Sequence, residues 1–213
     1  VVDVEIEFRL DQIDPRRHDA AGPYAIDAEL SRGFRRRRDE VAVVLNGIVE
    51  NFRELRDSLV TDGHDFSSET DAEVVAHLVE RHYTGDLVEA VRATYIELEG
   101  HFAFVVAHRA HPEMLVGARL QCPLVVGAGD SEMFLASSIA AFLRETREVH
   151  FPHDGEIVDL TSAGARFVVA ADGAEVEHEI VELDWDDEGA EKAGFETFML
   201  KEIFEQPEAV AET

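Results

Sequence analysis

The chain is short of cysteine, of lysine and of long apolar runs, and each shortage excludes something. Of 213 residues one is cysteine, Cys122, so neither an intramolecular disulfide nor a multi-cysteine metal site can be built from it. No apolar stretch nears the roughly 18 residues of a membrane-spanning helix, and the first residues show no secretory leader pattern. The chain therefore reads as soluble and cytoplasmic, without a membrane partner. Lysine occurs only at Lys192 and Lys201, and nineteen basic residues face forty-six acidic ones, for a formal net charge of −27. So negative a surface repels phosphate backbones, which argues against nucleic acid.

What is present is a foldable amount of apolar material. Hydrophobic residues make up 46 % of the chain, and they fall in periodic segments rather than in solvated runs, so the acidity does not signal disorder. No linker divides the chain, and its length suits one large domain or two small ones. High acid with arginine in place of lysine fits a protein kept soluble in concentrated salt, as in a haloarchaeal source. It equally fits a high-GC genome that favours arginine codons.

Residues 2–10 alternate Val2, Val4, Ile6, Phe8 and Leu10 with charged neighbours, the period of a strand with one face on a core. The pattern dissolves from Asp11 to Glu40, which reads as loop with one short helix at most. Val41 to Leu45 is a continuous apolar run suited to a strand buried on both faces, and Asn46-Gly47 is expected to end it in a turn. Helical spacing then predicts a helix through Phe52, Leu55 and Leu59 that stops at Asp62-Gly63, a second after Thr70 or Asp71, and a third from about Asp86 to Leu98. Strands are expected at 102–108, 114–119, 124–126, 133–136, 156–160, 165–170 and 176–181, with a helical turn or two at 139–143. Helices in the middle and strands around them predict an α+β fold with sheets packed on each other.

Asn46-Gly47 at the end of a buried strand would place a side-chain amide and a backbone N–H at the mouth of a sheet, the pair of donors that an acyl oxyanion requires. Around it stand Ile48-Val-Glu-Asn51, Ser68-Glu-Thr-Asp71, Leu98-Glu-Gly-His-Phe102, Cys122-Pro-Leu-Val-Val-Gly127, Phe134-Leu-Ala-Ser137, Asp154-Gly-Glu-Ile157 and Phe198-Met-Leu-Lys-Glu-Ile-Phe-Glu-Gln-Pro207. From Val41 onward this series resembles the glutaminase domain of the glucosamine-6-phosphate synthase (glutamine–fructose-6-phosphate aminotransferase) family, which are class II glutamine amidotransferases. The resemblance implies the four-layer αββα sandwich of N-terminal-nucleophile hydrolases; no cofactor is expected, and the scattered histidines give no spacing for a metal. By the same resemblance Asn46 and Gly47 form the oxyanion hole, worth about 3–4 kcal/mol per donor. Gly47 and Asp71 bind the substrate glutamine, Asp71 through its α-amino group. In the family the last string leads into a sugar-isomerising domain, which is the expected partner besides glutamine. A homo-oligomer is compatible with the resemblance.

The resemblance fails over the first forty residues. The family opens with Cys-Gly-Ile, whose thiol is the nucleophile, and carries an Arg-Trp-Ala-Thr-His-Gly stretch; neither can be read here. Leu45 stands where the family usually has His. The expected organisation is a divergent or incomplete N-terminal segment over 1–40, a glutaminase-like domain over 41–183 and a tail over 184–213. Two functions stay open at this point: ammonia supply from glutamine, or an inactive binding or assembly module that lacks the thiol. Cys122 sits before a proline in an apolar run and reads as structural. His77 and Arg81 read as a surface pair on one helix. His108 and His111 lie on strands, without the helical face that a metal pair would use.

Overall fold

The computed structural model describes residues 7–9, 33–35, 40–130, 132–183, 200, 203, 204 and 206. The chain divides into two compact units, Val1–Glu182 and Leu183–Thr213. In the second, Leu200, Ile203, Phe204 and Gln206 are helical. Among the described residues no helix is long and apolar enough to cross a membrane.

The first unit contains β1 (Glu7–Arg9), β2 (Gly33–Arg35), β3 (Val41–Val49), α1 (Phe52–Thr61), α2 (Asp71–His82), α3 (Leu87–Glu97), β4 (Gly100–His108), β5 (His111–Leu120), β6 (Val125–Ala128) and β7 (Met133–Ala136). It continues with a 3-10 turn (Ile139–Ala141), then β8 (Glu148–His150), β9 (Glu156–Thr161), β10 (Gly164–Val169), β11 (Glu175–Val176) and β12 (Val181–Glu182). Seven strands form one antiparallel sheet in the order β11-β10-β9-β5-β4-β3-β2, and five form a second in the order β1-β7-β6-β8-β12. Short pieces of the first forty residues thus lie at an edge of each sheet. The rest of the strand expected over 2–10, and of the loop after it, falls outside the described residues.

Along β3 and β4 the larger sheet is covered on both faces, which is why those strands read as unbroken apolar runs. Along β3, Val43 and Leu45 join α2 and α3 in one core cluster, while Val44 turns into a second cluster with Val126 and Leu135 of the smaller sheet and with Leu124 just before it. Phe102, Phe104 and Val106 of β4 likewise face the helices, and Ala103, Val105 and Ala107 face the other sheet. One extended element with period two therefore serves two cores. On the far side of the smaller sheet Phe142, just past the 3-10 turn, stacks on Phe134 with ring centroids 5.6 Å apart, and a Cβ on Gly127 would meet the same ring. The order of layers is helices, sheet, sheet and this capping segment, in agreement with the α+β expectation.

Each helix shows why it starts and stops. α1 buries Leu59 and packs Phe52 and Leu55 on the core. It ends where Asp62, Gly63 and His64 donate back to the carbonyls of Ser58, Val60 and Leu59. The Asp86 side chain caps α3 by accepting from the Glu89 N–H at 3.1 Å, an N-cap bond worth about 1 kcal/mol. In α2 every residue from Ala72 to Val79 is buried, the mark of a helix enclosed on all sides.

Three expectations need correction. The strand expected to stop at Leu45 runs on to Val49, so Asn46-Gly47 lies within β3 and not in a turn: Gly47 takes φ +96° and still pairs with Phe102. The strand expected over 176–181 is two short ones in different sheets, β11 on β10 and β12 on β8; the chain crosses from sheet to sheet over 177–180. His77 is no surface residue. It is wholly buried, against Phe66 at 4.3 Å between rings and with its Nδ1 2.9 Å from His64 Nδ1, while Arg81 on the last turn pairs instead with Glu97.

Candidate active site

The site grows from the end of β3. A Cβ on Gly47 would lie 2.1 Å from the His101 carbonyl oxygen and 2.8 Å from Cys122 Sγ, so the backbone comes close here only because the residue is glycine. Asn46 beside it is half-buried, and none of the described residues hydrogen-bonds its amide. Two residues on, the Val49 N–H donates to Asp71 Oδ2 at 3.1 Å. That bond fastens the first residue of α2 to the strand two residues beyond Gly47. Asp71 Oδ1 accepts from the Ala72 N–H at 3.0 Å. The carboxylate is therefore held at a helix N-terminus, where the peptide dipoles favour negative charge.

The loop before Asp71 is fixed by a residue that the sequence reading passed over. Glu73 Oε1 accepts from the Ser67 N–H at 2.6 Å and from its hydroxyl at 3.0 Å; Oε2 accepts from the Ser68 N–H and hydroxyl, both at 2.6 Å. Burial pushes the Glu73 carboxyl up, but the Ser68 and Ser67 hydrogen bonds outweigh it and hold the group below its ordinary value. Arg56 adds a bond to the Ser68 carbonyl at 2.7 Å. The signal was present: Thr70-Asp-Ala-Glu73 has capping-box spacing, with Glu at the third helical position.

The opposite wall comes from the ends of β4 and β5. Phe102 bridges to Gln121, which sits at φ +61° and donates its N–H to Asp154 Oδ1 at 2.9 Å. The same oxygen pairs with Arg119 at 3.0 Å. Asn51 ties the floor together: its Nδ2 donates to the Glu97 carbonyl at 2.8 Å, and its Oδ1 accepts from the Glu99 N–H at 3.0 Å. The structure thus brings Gly47 and Asp71 to one end of the larger sheet, on the β3 side, and places Cys122, half-buried, against Gly47 itself. No sequence feature announced the left-handed Gln121, since neither Gly nor Asn stands there.

Two stacked antiparallel sheets with three helices packed on one of them make an α+β fold of the N-terminal-nucleophile amidotransferase type. The model of the glutamine amidotransferase domain matches residues 31–144, and the chain belongs to that family. Among curated relatives it is 51 % identical over 167 residues to the glutamine–fructose-6-phosphate aminotransferase (isomerizing) of Thermus thermophilus, an alignment covering 78 % of this chain and 27 % of that protein. It is 49 % identical over 175 residues to the enzyme of the same name from Streptomyces coelicolor, covering 81 % and 28 %. The chain thus spans under a third of the length of these relatives. Among solved structures it is similar to the glutamine phosphoribosylpyrophosphate amidotransferase of B. subtilis, with TM-score 0.57 and 22 % identity over 66 % of this chain and 31 % of that one, a likeness in fold.

Proposed function

We propose that this chain is the glutaminase domain of a glutamine–fructose-6-phosphate aminotransferase, releasing ammonia from glutamine for amino-sugar synthesis in a sugar-isomerase domain or chain. The observation that carries the reading is the left-handed Gly47, pressed on the His101 carbonyl, with Asp71 fastened two residues away. The named relatives disfavour the inactive binding module as the alternative.

The chemistry follows from the donors. A thiolate adds to the side-chain carbonyl of glutamine, and the carbonyl oxygen becomes an oxyanion. The Asn46 amide and the Gly47 N–H donate to that oxygen, and Asp71 accepts from the α-ammonium of the substrate and so fixes which carbonyl reaches the corner. The C–N bond then breaks, ammonia leaves with a proton from the general base, and water hydrolyses the thioester to glutamate. The family resemblance assigns the thiol to an N-terminal Cys with its own α-amino group as base; the 213-residue sequence holds no such Cys, its one cysteine being Cys122.

Ammonia release by the natural gene product tests the assignment. Asn46→Ala should lower kcat by roughly 10²–10³ with little change in KM, the signature of a donor used in the transition state. Asp71→Asn should act chiefly on KM. Unchanged kcat in Asn46→Ala would overturn the oxyanion assignment.

A further inference from the structure

A second group of side chains lies away from Asn46, Gly47 and Asp71, and the glutamine chemistry does not use it. Glu156 opens β9, His153 stands three residues earlier in the loop after β8, and His178 lies on the 177–180 crossover between the sheets. His153 Nδ1 is 3.3 Å from Glu156 Oε1, and His178 Nε2 is 2.9 Å from Glu156 Oε2. All three donor atoms fall within 4.8 Å of one another.

His178 supplies an independent indication. Its side chain is only 7 % exposed, and Nε2 is shut off from solvent without the alignment of a hydrogen bond to the nearby carboxylate or to any other described group. A buried imidazole nitrogen left so is costly unless something accepts its lone pair. The ring cannot easily swing away. Phe167 covers it at 4.3 Å between centroids, and Val181 of β12 pairs with Val149 of β8 just beyond. Glu156 is oriented as well, since Oε2 also accepts the His153 N–H at 2.6 Å and Oε1 is left toward the His153 ring.

Two imidazole nitrogens and one carboxylate oxygen form a donor set suited to zinc-class ions and not to magnesium or calcium, which take oxygen. The separations, 2.9 Å from His178 to Oε2 and 3.3 Å from His153 to Oε1, are of the size found between neighbouring ligands around an ion with bonds of about 2.0–2.1 Å, and the three ligand atoms all lie within 4.8 Å of one another. We propose that His153, Glu156 and His178 bind one divalent transition cation of the zinc class. The cation clips the inter-sheet crossover to the start of β9 and keeps an open coordination position on the exposed His153 side. The expectation of no metal rested on local spacing; His153 and Glu156 are neighbours in sequence, but His178 joins them only through the sheet crossover.

Titration of the metal-free 213-residue chain with Zn²⁺, followed by calorimetry, should show one saturable site and raise the thermal midpoint. His153 is 77 % exposed, so His153→Ala should fold normally and weaken Zn²⁺ by more than the roughly 10- to 100-fold cost of losing an outer-shell partner; Glu156→Gln should do the same. His64→Ala, in the other His/His/Glu group, should leave the affinity unchanged. Independent of any variant, Zn²⁺ should shift the ring nitrogen resonances of His153 and His178 in the wild-type chain. Absence of one-to-one binding, full affinity in His153→Ala, or shifts confined to other histidines would each overturn the proposal.

Discussion

Replacing Gly47 by alanine separates the two demands that the site places on that position. The backbone there is at φ +96°, a region that costs an L-residue roughly 1–2 kcal/mol. The added methyl would also lie 2.1 Å from the His101 carbonyl oxygen and 2.8 Å from Cys122 Sγ. The thiol can rotate. The carbonyl belongs to β4, paired with β3 along its whole length, and cannot withdraw without opening the ladder. Overpacking of this kind costs typically a further 1–3 kcal/mol, so Gly47→Ala should lose about 2–5 kcal/mol. Gly63 provides the control, since its φ is +91° but nothing lies within 4 Å of the Cβ it would gain; Gly63→Ala should cost only the conformational part. Urea unfolding of both variants under one condition gives the difference directly. A Gly47→Ala loss no larger than that of Gly63→Ala would refute the claim that close backbone approach dictates this glycine. If the larger loss is found, the Gly47 N–H must also be displaced, and glutamine hydrolysis should fall even where the variant stays folded.

Glu73→Ala should destabilise the chain by about 2–3 kcal/mol, because it strands the Ser67 and Ser68 N–H groups, and it should weaken glutamine binding through a loosened Asp71; calorimetry showing undiminished glutamine affinity would count against that coupling. Since the folded Glu73 carboxyl sits below its ordinary value of 4.5, its contribution is complete above that value and is lost as pH falls through the folded pKa. Urea midpoints below about pH 4.5 should therefore drop less steeply in Glu73→Gln than in wild type. His108 gives a second pH window. Burial, followed by the neighbouring His111, holds its imidazole below the ordinary 6.5, and its Nδ1 accepts from the Ala110 N–H at 3.1 Å, so the neutral ring is the one that fits. Stability should be full above pH 6.5 and fall as the pH drops below it; His108→Phe, which keeps the contact with Tyr83, should flatten that fall, and an unchanged slope would exclude His108 as its source.

The α+β class, all three helices and the strands on either side of them were legible because each of these elements keeps one period over its length. Where period alone carried the reading, it failed at element ends: a left-handed glycine inside a ladder looks like the end of a strand. Asn46-Gly47 has the composition of a turn, and only the His101 carbonyl, fifty-four positions later, shows that β3 continues through it. β8 and the split of 176–181 were missed because strands of two or three residues contain too few alternations to register a period.

The candidate site divides along the same line, and the division has a physical cause. Asn46, Gly47 and Asp71 were singled out through the family resemblance of the short strings in which they stand, and the structure fastens Asp71 to the strand beyond Gly47. Glu73 carried a local spacing signal that was not used. Gln121 and His178 meet partners more than twenty positions away, Asp154 and Glu156, and no residue near them in sequence records the partner. His77 shows the error in its sharpest form, since a histidine three or four positions from charged neighbours on a helix is normally solvated. The enclosure of α2 by α1, α3, the larger sheet and the Phe66 loop reverses that, and burial then depends on what covers the helix more than on what the helix contains. A reading that first asks which helices are enclosed would have placed His77 inside.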